Sequence, residues 1–151
     1  MTFDYFQGDP ALTLDGDGAD IKVVGGQPVM DQGLHNAAIL SLFVSKGWWG
    51  NQVLRAAEEK LGSDFEETCR QAVTVTALQR IRTSMLAALQ WLLDTKLASA
   101  VEAAVVNPSP GRLDTGVKII PPSRDELVLV ASKHGPNWLM QRDNPAHERL
   151  K

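Results

Sequence analysis

Gly33-Leu34-His35-Asn36-Ala37-Ala38-Ile39-Leu40-Ser41-Leu42-Phe43-Val44-Ser45-Lys46-Gly47-Trp48-Trp49-Gly50-Asn51 is the stretch on which the fold turns. Its first part is long enough for a short helix. Between Ala37 and Val44 that helix is apolar on every side, so it must be covered all round. Gly47 stands where such a helix would end in a left-handed cap. Two tryptophans follow, held between glycines. Each ring carries a large apolar area, so Trp48 and Trp49 must bury either in this chain's core, pinning the first helix to a longer one, or in a partner.

Upstream, Met1 to Ala19 is rich in Asp, Gly and aromatics and has no sustained period. It reads as an N-terminal arm, with Phe3, Tyr5 and Phe6 as candidate partner contacts, since terminal segments often order on binding. Asp15-Gly16-Asp17-Gly18-Ala19-Asp20 has the look of a calcium loop. Its sixth position is Asp20 rather than Gly and its twelfth is Gly26 rather than Glu, so the pattern fails. A polar turn before a strand is the simpler reading. Ile21 to Val24 is the strand, Gly25-Gly26 ends it, and Asp31 is placed to cap the first helix.

Downstream of the Trp pair, Gln52 to Leu61 has helical spacing. Ser63 and Glu66 are spaced as a capping box for another short helix, and Cys69 within it reads as a packing residue. Thr76 and Gln79 suggest a second box, opening the longest helix. There Leu78, Ile81, Met85, Ala88 and Leu92 recur at steps of three and four, and Leu86, Leu89 and Leu93 widen the stripe. Such a stripe is a core-facing surface or an oligomer seam. Beyond Lys96 the period becomes that of strands: Val101 to Val106, a turn at Asn107-Pro108-Ser109-Pro110-Gly111, Leu113 to Ile120, and Glu126 to Val130.

The expected fold is therefore a small α+β domain: one long and two or three short helices on an antiparallel meander of about three or four strands. The domain is placed at 20–131, between the arm at 1–19 and a polar C-terminal tail at 132–151. Within the tail Trp138-Leu139-Met140 is an apolar patch suited to docking, and Trp138 joins the candidate contacts.

Chemistry is harder to find. With Lys+Arg 15 against Asp+Glu 18 the formal net charge is -3, which gives no reason to expect nucleic acid or an anionic membrane as partner. No apolar run approaches the ~20 residues of a membrane span, and the N-terminus lacks a signal-peptide profile. A lone cysteine allows no intrachain disulfide and no cysteine-based zinc site. His35, His134 and His147 are far apart, and no pair has the i, i+4 spacing of a helical metal site. No nucleophile elbow, phosphate loop or dinucleotide fingerprint is present. Glu58, Glu59, Glu66 and Glu67 read as solvated helix faces. No catalytic, cofactor or metal residue is assigned, and the chain is read as not an enzyme.

Asp31-Gln32-Gly33-Leu34-His35-Asn36-Ala37-Ala38-Ile39-Leu40-Ser41-Leu42-Phe43 followed by Gly47-Trp48-Trp49-Gly50-Asn51 resembles the Mu-type baseplate proteins of contractile-tailed phages. Those typically carry Gly-Leu-x-x-Ala-x-x-x-Ser-Leu-Phe and then Trp-Trp-Gly. The long helix ending in Leu89-Gln90-Trp91-Leu92-Leu93 and the Val-rich strands agree, over roughly residues 20 to 121. Three departures stand out. The tail after Ala131 runs past the usual end of the pattern. The loop before the Trp pair is only Val44-Ser45-Lys46, and His35 stands where an acidic residue is common.

The resemblance implies a virion protein made in the host cytoplasm and placed in the tail baseplate, a wedge component or sheath initiator with a tail-lysozyme-like fold. Its implied partners are other wedge proteins, the central hub, spike or tube proteins and the tail sheath protein, at six copies per baseplate, with no cofactor. It also implies templating of the first sheath ring by strand addition. The meander should leave a free edge for this, and Val128 and Val130 of its third strand are the candidate residues. A lysozyme-like cell-wall hydrolase of the tail and a transient assembly chaperone are the alternatives.

Overall fold

The computed structural model describes residues 8–16, 18–31, 34–54, 61–122 and 125–140. The order is β1 (Asp9–Pro10), β2 (Leu12–Leu14), β3 (Ala19–Ile21), β4 (Val23–Val24), β5 (Gln27–Pro28), β6 (Met30–Asp31), α1 (Leu34–Phe43), a 3-10 turn (Trp49–Gln52), α2 (Phe65–Thr68) and α3 (Val75–Asp94). β7 (Ala100–Ser109), β8 (Arg112–Ile120), β9 (Leu127–His134) and β10 (Asn137–Met140) complete it. The α+β class holds. The main sheet is antiparallel in the order β10-β9-β8-β7, and three two-stranded pairs, β1-β6, β2-β3 and β4-β5, precede α1.

α3 is the backbone of the core. Thr74 caps it, its hydroxyl accepting from the Ala77 amide at 3.1 Å, so the helix begins ahead of the expected Thr76 box. Ala77, Ile81, Met85, Leu89 and Leu92 are buried along one face. That face meets the inward side of the sheet, where Leu113, Thr115, Val117 and Ile119 alternate with partly exposed neighbours on β8. Period 3.6 and period 2 thus bury one another's apolar sides. Each fully buried Ile, Leu or Met here contributes about 1.5–3 kcal/mol of transfer free energy.

α1 lies over the β9 side of the sheet. None of its residues is exposed, as an all-round apolar helix requires. Its start is tied to the N-terminal strands. The Asn36 side chain donates to Pro10 O and accepts from the Leu12 amide, both at 2.9 Å, and Asp31 accepts the Asn36 amide at 2.9 Å. His35 Nε2 lies 2.7 Å from Leu12 O. A carbonyl only accepts, so this nitrogen carries the proton, and a carboxylate in its place could not make the bond.

Several local expectations are corrected. Gly47 is not left-handed. α1 ends at Phe43 because Val44 O accepts the Ser63 amide at 2.9 Å and Ser45 bridges Ser63 in parallel, pulling the chain out of the helix. The Ser63–Glu66 box does not form: Ser63 Oγ donates to Leu42 O and accepts from Phe65 N, while Glu66 pairs with Arg70. The strand expected at Ile21 to Val24 is broken at Lys22 into β3 and β4.

The body extends beyond 20–131 at both ends. Ala11 and Leu14 are buried. β9 runs to His134, and the Gly135-Pro136 turn sends β10 back along it. Of the helix expected from Gln52 to Leu61, residues 55–60 lie outside the described residues.

Candidate partner interface

The Trp loop is built from a few polar bonds. Asn51, almost buried, donates to Lys46 O at 3.2 Å and Leu61 O at 2.7 Å, and accepts from the Leu61 amide at 2.9 Å. One side chain thus closes the loop by mimicking a strand partner. Gly62 lies so close to Ser45 that a Cβ would meet that residue's carbonyl and the Lys46 amide, and its φ of +115° suits glycine alone. At Gly50 the constraint is of a softer kind: the Trp48 ring lies across it, so a Cβ there would have to displace that side chain. Lys46 pairs with Asp64 across the outside at 2.9 Å.

This frame turns the indoles outward. Trp49 is 71% exposed and Trp48 37%, with ring centroids 5.7 Å apart, and Val53 beside them in sequence is also exposed. The core alternative for the pair is therefore overturned. The link between α1 and α3 is made by a different tryptophan: Trp91 Nε1 donates to Ser41 Oγ at 2.9 Å.

Trp138, expected at a docking patch, sits in the core at 9% exposure. Its ring meets Phe43 and Phe65 at centroid distances of 5.2 and 5.5 Å. The cause is β10: opposite Lys133, residue 138 faces the helices, while Leu139 faces out. Val128 and Val130 are partly exposed on the outer face of β9. Phe3, Tyr5 and Phe6 lie outside the described residues.

Cys69 is buried, and desolvation pushes its thiol up to about 12, the Lys133 ammonium only partly offsetting this. At neutral pH it holds its proton and is no nucleophile. Native protein at pH 8 should resist a thiol reagent that labels the urea-unfolded chain within minutes. The folded thiol titrates above its unfolded value, so its contribution to stability is whole below about pH 9 and declines as pH rises toward 12. Equal labelling of folded and unfolded protein would contradict this.

A shallow open groove runs over β2, β3 and β4, lined by Thr13, Asp15, Asp20, Ile21, Lys22 and Val23. Among the described residues no three His, Cys, Asp or Glu side chains are grouped to hold a metal ion, and no helix is long and apolar enough to cross a membrane.

Spacing alone does not give Asn51 or Gly62 these roles, since their partners come from different segments. The available signal was a Gly-Asn pair directly after two tryptophans. No curated protein and no solved structure matches the chain. A sequence profile for phage protein GP46 matches residues 34–126, from α1 through the Trp loop and α3 to the threshold of β9. With well over half of its 151 residues inside that match, the chain belongs to the phage protein GP46 family.

Proposed function

We propose that this phage protein is a structural component of a contractile tail baseplate, joining wedge proteins around the hub and templating the first sheath ring by strand addition. On this reading it resides in the virion, works through contacts rather than catalysis, and carries no cofactor. One observation supports it most: the Trp49 indole stands largely in solvent, with the partly exposed Trp48 beside it, on a loop tied by the Asn51 bonds and by the close approach of Gly62 to Ser45. Exposed aromatic area on a preorganised frame is the usual composition of an interface hot spot. A frame already held by these bonds also lowers the ordering cost of docking.

Quantitative mass spectrometry of purified particles is the test. A wedge component is present in stoichiometric amount with the other baseplate proteins. Absence from mature particles, with presence in assembly intermediates, would replace this reading with the chaperone one. A Trp48→Ala, Trp49→Ala double variant should melt within a few degrees of the parent, because neither ring is in the core. It should be lost from particles, since hot-spot aromatics cost about 2 kcal/mol or more each when truncated. Normal incorporation of that variant would remove the tryptophans from the interface.

A further inference from the structure

β7 borders the main sheet on the side away from β10. Ala100 to Val106 pair in unbroken register with Ile120 to Asp114 of β8. Ser99 N donates to Ile120 O at one end, and Pro110-Gly111 turns into β8 at the other. No strand among the described residues pairs with the opposite side of β7. The direction of its backbone groups follows from the sheet. Gly135 N donates to Gly111 O, so the odd residues of β8 bond to β9. The even ones, Asp114, Gly116, Lys118 and Ile120, then bond to Val106, Ala104, Glu102 and Ala100. The amides and carbonyls of Val101, Ala103 and Val105 therefore point away from the sheet. One contact checks this independently: Arg82 Nε, reaching over from α3, donates to Ala103 O at 3.0 Å. Arg82 is itself exposed, so the edge meets solvent at its centre.

Side chains define what fits there. Val101, Ala103 and Val105 turn toward α3 and the core, whereas Glu102, Ala104 and Val106 are exposed on the other face. A strand laid along β7 shares these faces, residue opposite residue. Its side chain opposite Ala103 enters on the α3 side, beside the Arg82 guanidinium, whose five N–H donors can take a carboxylate as well as a carbonyl. Its neighbour opposite Glu102 enters on the other face. There the Glu102 side chain is 67% exposed and 3.9 Å from Lys118 Nζ, which lies closer to Glu126 at 3.2 Å. Complementarity asks for an acid and a base at two successive positions. A second, antiparallel copy of β7 supplies neither. Paired about Ala103 it sets Arg82 against Arg82, and about Glu102 it sets carboxylate against carboxylate. Paired about Ala104 it sets Val105 and Val106 against the two groups.

We propose that Val101 to Val105 accept an extended, antiparallel segment of a partner protein that carries Asp or Glu opposite Ala103 and Lys or Arg opposite Glu102. Arg82 and Glu102 read these charges, and the backbone groups of residues 101, 103 and 105 supply affinity. The register shift between Val106 and Ser109 ends the acceptor. The proposal rests on the reading of the chain as part of a multi-subunit assembly and concerns a different strand from that of Val128 and Val130.

Amide exchange followed by NMR on the isolated full chain comes first. The Ala103 and Val105 amides should exchange at least ~100-fold faster than those of Glu102 and Ala104, which bond to β8. An acetylated, amidated TVTEKVT peptide should then slow them, its Glu falling opposite Ala103 and its Lys opposite Glu102. At low salt it should bind about 10-fold more tightly than TVTKEVT. The R82E/E102K chain should reverse that preference, and both positions are exposed, so the fold is kept. Slow exchange of Ala103 and Val105 in the chain alone would show the edge already covered and would overturn the proposal. So would an absence of peptide binding, which would leave Arg82 as a charge that blunts the edge, or affinities indifferent to the charge swap. None of these outcomes bears on presence in particles, which tests the functional reading separately.

Discussion

Gly62→Ala should destabilise the chain by roughly 3 kcal/mol or more, from two causes that add. An L-residue at φ +115° leaves its allowed region at a cost of about 1–3 kcal/mol. Its Cβ would also stand within 3 Å of the Ser45 carbonyl and the Lys46 amide. These are backbone atoms that cannot swing aside as a side chain would, so the Ser45–Ser63 bridge must open. Thermal and urea unfolding measure the loss. Asn51→Ala is the companion, leaving Leu61 N and Leu61 O without their side-chain partners, at about 1–3 kcal/mol for the exposed need. A Gly62→Ala chain as stable as the parent would show that the loop is not clamped and that the orientation of Trp48 and Trp49 is incidental.

Val128→Pro has the opposite profile: a small effect on the isolated chain and a large one on assembly. The β8 pairing turns the Val128 amide away from β8, to a side of β9 where no strand among the described residues pairs with it, and proline is tolerated in a sheet where its missing N–H would have faced solvent. The fold should survive with a loss of about 1 kcal/mol. A docked strand would lose a central bond and meet the ring, a penalty of about 2–3 kcal/mol, or roughly a 30- to 150-fold weakening. Repeated around a ring of copies, that should leave particles without sheath. Electron microscopy of particles carrying the variant, with Val128→Ala as the N–H-retaining control, is the measurement. Normal sheath on Val128→Pro particles would exclude this edge from templating.

What the sequence makes legible follows from periodicity. The α3 stripe and the alternation of β8 are long and regular, and both elements stand within a few residues of where spacing puts them. The three C-terminal strands are found for the same reason. β10 escapes the pattern because four residues with one buried ring carry too little of it, and spacing ends its partner β9 at Val130 where the strand runs to His134. Trp138 is misplaced with it. The fate of Trp48 and Trp49 is not written in local spacing at all. An indole between glycines is equally compatible with burial and display, and the choice is made by Asn51 bonding to Leu61, ten residues on, and by Gly62 lying against Ser45. Capping is legible only in kind: Asp31 does hold the start of α1, yet α3 takes Thr74 rather than Thr76, because extended backbone at Thr74 already fits the cap.

The Asn51 side chain also has a mechanical side. Its bond to Lys46 O closes the short turn that carries both indoles, and its bonds to Leu61 fasten that turn to the backbone beside the Ser45–Ser63 bridge. A pull on either tryptophan is therefore handed to the end of α1 instead of being spent in stretching the turn.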